Sequence, residues 1–65
     1  MKKSPIEVAI SELGVRPLAR ALGVARSTVS RWRRDGWIPS QHHQRVIEAG
    51  EGKITPHDLV HGREV

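Results

Sequence analysis

Proline and glycine divide this chain into short segments, each with the signature of a helix. Proline is favoured in the first turn of a helix, and glycine is favoured just beyond the last turn. The sequence pairs Pro5 with Gly14, Pro17 with Gly23, Pro39 with Gly50, and Pro56 with Gly62. A fifth segment, residues 26–35, ends at Gly36 and lacks only the opening proline. Because no segment alternates with the period of two that a strand requires, the pattern predicts an all-α fold, a compact bundle of about five short helices.

The amount of chain limits the class of protein. Its 65 residues form a single domain, residues 1–65, and 37% of them are hydrophobic, enough for one small core. The chain contains no cysteine, which excludes disulfides, thiolate zinc sites and cysteine nucleophiles. It has no apolar run of the roughly 20 residues that a membrane span needs, so we expect a cytoplasmic protein. A shaped catalytic pocket needs a longer chain than these 65 residues, so we expect no enzyme, no catalytic residues and no cofactor.

Positive charge is concentrated in one third of the chain. Residues 15–36 contain six arginines against the single acid Asp35, a balance of +5. The other residues contain five bases and six acids, a balance of −1. Arginine suits phosphate and the bidentate contact with guanine, and a compact arginine cluster favours an anionic partner over a merely solvated face. We therefore expect nucleic acid as the partner.

Apolar residues recur at helical spacing within each segment. The residues of these stripes are Ile6, Ala9, Ile10 and Leu13; Leu18, Ala19 and Leu22; Val29 and Trp32; Val46 and Ile47; and Ile54, Leu59 and Val60. Thr55, followed three residues later by Asp58, is typical of a capping box at the start of the last helix. Only residues 1–4 and the stretch after Gly62 are expected to be loose.

Residues 15–34, VRPLARALGVARSTVSRWRR, form the most informative segment. Gly23 stands where the chain must turn through positive φ after a short helix, a conformation that glycine adopts without steric cost. Ala19 lies four residues earlier, where a larger side chain would hold the two helices apart. The wedge of core between them comprises Leu18, Leu22, Val24, Val29 and Trp32. This pattern is typical of a helix-turn-helix, with residues 39–49 and 56–61 as supporting helices.

The geometry of the second helix of this motif predicts which side chains meet double-stranded DNA. At about 100° per residue, Val29 and Trp32 mark its buried side. Base contacts are expected from the opposite side and the leading end, by Arg26, Ser27, Ser30, Arg31 and Arg34. Arg31 is the preferred guanine-reading residue, and Arg26 is the second. Phosphate contacts are expected from Arg16, Thr28 and Arg33. Arg20 is equally well explained as a phosphate contact or as a solvated or paired side chain.

The motif LARALGVARSTVSRW, together with DGWIPS and KITPHDLV, resembles the Cro-type phage repressors and the related YdaS-like proteins described as antitoxins. The resemblance covers most of the chain, and its first motif is the one specific for DNA binding. It implies a lambda-repressor-like, Cro-like fold in a bacterial or phage-encoded repressor that associates with the nucleoid when bound to DNA. It also implies a homodimer on a short inverted-repeat operator. Cro proteins include all-helical and mixed forms, and the proline and glycine pattern favours the all-helical form.

Four histidines raise the question of a metal site. His57 and His61 have the i, i+4 spacing at which two helical imidazoles can hold zinc, but a stable structural site needs four ligands. His42 and His43 are adjacent in sequence and so face different directions. No cysteine assists, and we therefore expect exposed polar surface here and no metal site.

A repressor of this kind would act by occupying a promoter as two subunits, because one small module buries too little DNA contact for tight binding. We expect the contact between subunits to involve Trp37, Ile38 and residues 54–60. No small-molecule effector is expected. Trp32 and Trp37 are the chain's only Phe, Trp or Tyr residues, which argues against the base stacking typical of RNA binding.

Other functions stay open at this level. One is an architectural protein that binds DNA with little sequence preference. Another is an antitoxin or anti-regulator that acts mainly through protein contacts. Activation in place of repression also stays open, because the outcome depends on where the operator lies.

Overall fold

Five α-helices, one 3₁₀ turn and one pair of two-residue strands make up residues 2–64, the part of the chain that the structure, a computed structural model, describes. The helices are α1 (Pro5–Leu13), α2 (Val15–Leu22), α3 (Arg26–Asp35), α4 (His43–Gly50) and α5 (Pro56–His61), with the 3₁₀ turn Ser40–His42 before α4 and the strands β1 (Lys2–Lys3) and β2 (Arg63–Glu64) at the two ends. The predicted all-α fold is confirmed, with the strand pair as a small addition. None of the described helices is long and apolar enough to cross a membrane.

Reciprocal hydrogen bonds fix the start of the first and last helices. Ser4 Oγ accepts from the Glu7 amide at 3.4 Å, and Glu7 Oε1 accepts from the Ser4 amide at 3.4 Å. In the same way, Thr55 Oγ1 accepts from the Asp58 amide at 3.2 Å, and Asp58 Oδ2 accepts from the Thr55 amide at 3.0 Å. Each capping box satisfies two amides that a helix start otherwise leaves unpaired. The capping box expected at Thr55 is confirmed, whereas the one at Ser4 was not predicted.

Two helix boundaries differ from the pattern of prolines. Helix α2 begins at Val15, two residues before Pro17, because the first amides of a helix have no intrahelical partner and proline therefore fits anywhere in the first turn. The segment predicted as one helix from residue 39 instead begins with the 3₁₀ turn Ser40–His42, in which the His42 amide donates to the Pro39 carbonyl at 3.0 Å. The regular α-helix starts only at His43.

The two ends of the described chain are paired with each other, so the expectation that both are loose is wrong for the described residues. Lys2 pairs with Glu64 and Lys3 with Arg63 in an antiparallel register. A Cβ on Gly62 would overlap the Lys3 carbonyl, so only glycine lets the two ends approach this closely. Met1 and Val65 lie outside the described residues.

A single core joins all five helices, and α1 packs against each of the other four. The buried hydrophobic residues of this core are Ile6, Ala9, Leu18, Ala19, Leu22, Val29, Trp32, Ile38, Val46, Ile54 and Leu59. Val60, which was predicted to share the stripe of Leu59, is instead 63% exposed. Successive helical residues point about 100° apart, so α5, which buries Asp58 and Leu59 on one side, turns Val60 to solvent.

Candidate nucleic-acid interface

A tight turn at Gly23 joins α2 to α3. Gly23 is left-handed, with φ of 69° and ψ of 32°. Its amide donates to the Arg20 carbonyl at 3.3 Å, and the Val24 amide donates to the Ala19 carbonyl at 3.0 Å. This pair of bonds is the Schellman arrangement that ends a helix and redirects the chain. The next helix starts at Arg26, so the helix, turn and second helix follow in the order that the sequence predicts.

Packing between α2 and α3 fixes the orientation of α3. Leu18, Ala19 and Leu22 of α2 and Val29 and Trp32 of α3 are buried in the common core. The Trp32 ring also lies against the imidazole of His42, with ring centroids 5.2 Å apart. One side of α3 is thus held by the rest of the domain, and its other side is free to meet a partner.

The predicted base contacts lie on the solvent side of α3. Arg26, Ser27, Ser30, Arg31 and Arg34 are all exposed. Of the predicted phosphate contacts, Arg33 and Arg16 are exposed, and Thr28 is partly buried at the flank of α3. The structure therefore places the residues of the predicted site on the accessible surface of the helix-turn-helix. Which of them touch bases and which touch phosphates stays a prediction.

The positive charge of this surface is largely unneutralised. Within residues 2–64, no carboxylate lies within salt-bridge distance of Arg16, Arg20, Arg26, Arg31 or Arg33. Arg34 Nε lies 3.5 Å from Asp35 Oδ1, but both side chains are exposed, and an exposed pair of this kind contributes little. The arginine-rich surface can therefore attract an anion.

Helix α2 presents a second part of this surface. Arg16 and Arg20, one turn apart, border a shallow depression with Pro17 and Ala21. No side chain caps the first turn of α2, where Gly14 is the N-cap, so its free amides and the positive end of its dipole lie beside Arg16. Arg20 is exposed without an ion pair in the described chain, which removes the paired alternative and leaves solvation or phosphate contact. Arg45, in a depression between α2 and α4, lay outside the arginine-rich segment and was not predicted to take part.

The histidines occupy three different settings. His43 Nε2 is 2.8 Å from the Ile38 carbonyl oxygen, and His42 lies against Trp32. His57 and His61 are exposed on successive turns of α5, with ring centroids 4.7 Å apart. Within residues 2–64, no three His, Cys, Asp or Glu side chains lie close enough together to hold a metal ion.

Several residues of the surface predicted to join two subunits are buried inside the domain. Ile38, Ile54 and Leu59 are each at most 3% exposed and belong to the core of the domain. Trp37, at 54%, and Val60, at 63%, are the large hydrophobic residues that remain exposed within the described chain. The sequence could not separate Trp37 from Ile38, because two adjacent apolar residues in a loop carry no periodicity.

Comparison with known proteins supports a phage origin for this architecture. Residues 2–50 match the family described as bacteriophage CII protein. The structure is similar to the Cro protein from prophage element Xfaso 1 of Xylella fastidiosa strain Ann-1, with 33% sequence identity, a TM-score of 0.76, and coverage of 86% of this chain and 88% of that chain. It is also similar to XPH1, a hybrid sequence of Xfaso 1 and Pfl 6, two Cro proteins with different folds, with 36% identity, a TM-score of 0.61, and coverage of 78% and 80%. Curated protein sequences give no match.

These similarities confirm the Cro-type resemblance and add the CII family, which the sequence motifs did not identify. The YdaS-like part of the resemblance stays a prediction. Family and fold indicate a regulatory protein. The protein belongs to the bacteriophage CII family and, with the Cro proteins whose fold it shares, to the DNA-binding transcription regulators of phages.

Proposed function

We propose that the protein binds a specific sequence of double-stranded DNA by inserting α3 into the major groove. The observation that carries this proposal is the two-sided character of α3. Val29 and Trp32 anchor one side in the core, while the other side exposes arginine and serine side chains without a compensating acid other than Asp35. A helix held in this way matches the recognition helix of helix-turn-helix proteins.

Recognition would use two groups of contacts, one with bases and one with phosphates. Arg31 is exposed near the middle of α3 along its length, and Arg26 lies at the leading end of α3, where recognition helices first meet base edges. Ser27, Ser30 and Arg34 complete the group directed at bases. Arg16, Thr28 and Arg33 flank this group and would bind phosphates, which set the register of the protein on the duplex without reading sequence.

The working unit we propose is a dimer that represses transcription by occupying an inverted-repeat operator. A single module of this size buries too little DNA surface for tight specific binding. Two copies would reach half-sites about one helical turn apart, roughly 34 Å. Exposed Trp37 and Val60 are the apolar residues that a contact between the copies would cover.

Selection of bound sequences from random duplex DNA, at near-physiological salt, tests this function. We expect a palindromic consensus, and we expect Arg31→Ala to weaken binding to it by about 1–3 kcal/mol while relaxing the preference at one base pair. Equal losses on consensus and random DNA would contradict the role of Arg31. A protein that enriches no sequence would instead be an architectural DNA binder or a protein-interaction module.

The dimer needs its own measurement. Sedimentation of the free protein and of its complex with consensus DNA gives the number of subunits in each state. Two subunits on a palindromic site are expected, and one subunit on an asymmetric site would contradict the dimeric operator complex. Trp37→Ala and Val60→Ser would show whether either exposed apolar residue contributes to self-association.

A further inference from the structure

We propose that bidentate base reading by α3 is restricted to guanine. Each half-site would then present two guanines to Arg26 and Arg31, and no adenine would be read by an amide side chain. The inference rests on the proposed function, because it specifies which bases the exposed side of α3 recognises.

The first argument is the set of side chains that α3 offers to a base edge. In the major groove, arginine pairs bidentately with guanine O6 and N7, asparagine or glutamine pairs bidentately with adenine N6 and N7, and a carboxylate accepts from cytosine N4. Helix α3, RSTVSRWRRD, contains neither asparagine nor glutamine. The whole chain has no asparagine, and its two glutamines, Gln41 and Gln44, lie beyond the end of α3. The helix therefore lacks the amide side chains that read adenine bidentately.

The second argument is that Arg26 and Arg31 are available to bind. Both side chains are exposed, and neither is within salt-bridge distance of a carboxylate in residues 2–64. Neither guanidinium therefore has to give up an ion pair there before it meets a base. Arginine presents a planar fork of donors that matches the two acceptors of guanine.

The spacing of these two arginines sets the spacing of the guanines. Five residues separate Arg26 from Arg31, which corresponds to about 7.5 Å along the helix axis. Base pairs are stacked about 3.4 Å apart, so for a helix lying along the groove this axial separation corresponds to about two base-pair steps. The two side chains leave the helix about 140° apart and would reach their bases from opposite edges of the exposed side. The guanines can stand on either strand, because each strand presents its guanine edge in the same groove.

Arg34 and Asp35 do not widen this range of bases. The Asp35 carboxylate, the group on α3 that could accept from cytosine, lies 3.5 Å from Arg34 Nε. Arg34 and Asp35 are the last two residues of α3 and lie away from the leading end that meets base edges first. Arg34 would therefore be a weaker reader than Arg26 or Arg31, and when it does reach a base it again prefers guanine. Ser27 and Ser30 carry hydroxyl groups that both donate and accept, so they discriminate poorly between bases.

Modified bases test the inference directly. In the consensus duplex from the selection experiment, each guanine of one half-site is replaced by 7-deazaguanine, one position at a time. Each adenine is replaced by 7-deazaadenine in the same way. Both analogues lack the N7 acceptor. We expect 7-deazaguanine to weaken binding at least about fivefold at two positions. We expect 7-deazaadenine to change the affinity by less than about twofold at all positions. Binding that is weakened by 7-deazaadenine and not by 7-deazaguanine would overturn the inference.

Matched variants connect each guanine with its arginine. Arg31→Gln replaces the guanine fork with an adenine-reading amide, so the preference at one position should shift from guanine towards adenine. Lys53→Gln introduces the same amide in the loop between α4 and α5, outside the helix-turn-helix, and should leave every base preference unchanged. An unaltered consensus for Arg31→Gln would contradict the inference. Failure of the parent protein to select any sequence would overturn the proposed function itself, so the two failures are distinguishable.

Discussion

The guanidinium group of Arg63 donates to both oxygens of the Asp58 carboxylate, with Nη2 2.7 Å from Oδ2 and Nε 3.4 Å from Oδ1. Arg63 Nη2 also donates to the Lys53 carbonyl at 2.8 Å, and its Nη1 lies 3.6 Å from Glu12 Oε1. One side chain thus connects β2 with α5, with the loop before α5, and with α1. Asp58 also forms the capping box with Thr55 at the start of α5. The Asp58–Arg63 pair therefore holds α5 and β2 together.

Acid should weaken this connection. The hydrogen bonds from Arg63 and from the Thr55 amide lower the pKa of Asp58 from 3.8 to about 2. A carboxyl group with a lowered pKa in the folded state adds stability above its unfolded pKa and loses it as pH falls through its folded pKa. We therefore expect the free energy of unfolding to fall by about 1–2 kcal/mol between pH 4 and pH 2, after allowance for the partial exposure of Arg63. Urea unfolding followed by circular dichroism across this range measures the change.

Asp58→Asn tests the source of that acid sensitivity. The amide can still accept from the Thr55 amide but carries no charge for Arg63, so we expect a loss of about 1–2 kcal/mol at pH 7 and a flatter stability profile between pH 4 and pH 2. Glu48→Gln, which neutralises an exposed acid, is the matched control and should stay within about 0.5 kcal/mol of the parent. Equal acid sensitivity in Asp58→Asn and the parent would show that another group is responsible.

The sequence predicted the helices well because their signals are local. Proline, glycine and the capping residues act within one turn, so α1 and α5 could be placed from a few neighbouring residues. The paired ends could not be predicted. Two-residue strands such as β1 are too short to show alternation, and the contacts of Arg63 with Lys53 and Glu12 join residues that are distant along the chain.

The candidate site was predictable for a related reason. Val29 and Trp32 identify the buried side of α3, and helical geometry then gives the exposed side without knowledge of the rest of the fold. The surface between subunits has no such local rule. Whether Ile38 is exposed depends on how the chain after α3 folds back onto the core, and the structure places it inside the domain.

Gly23→Ala should lower stability through the backbone alone. Gly23 has φ of 69°, and a Cβ there would meet no atom within 4 Å, so the cost is the left-handed conformation itself, about 1 kcal/mol. Gly23→Asn should cost less, because asparagine tolerates this conformation better than alanine does. Urea unfolding of the three proteins gives the comparison, and equal stability of the alanine variant and the parent would contradict a required left-handed turn.

The two tryptophans should differ sharply in their contribution to stability. Trp32 is 8% exposed and lies in the core, whereas Trp37 is 54% exposed. Trp32→Ala should cost about 3–5 kcal/mol, a loss comparable with the whole stability of a small domain, so we expect a largely unfolded protein by circular dichroism. Trp37→Ala, measured at a concentration where the protein is monomeric, should stay within about 0.5 kcal/mol. Trp32→Phe keeps most of the apolar volume and should remain folded, which would separate a packing defect from general intolerance of substitution.

Arg16→Ala should weaken binding to all DNA sequences alike. Arg16 lies beside the uncapped start of α2, where an arginine and free amides can share a phosphate oxygen. Each phosphate contact releases counterions, so its loss should reduce the slope of log affinity against log salt concentration by about 1. Lys53→Ala removes the same charge in the loop between α4 and α5 and should leave that slope nearly unchanged. Affinity measured over a range of salt concentrations, on consensus and on random duplexes, tests both variants. A parental salt slope in Arg16→Ala, or a loss confined to the consensus, would mean that Arg16 does not bind phosphate.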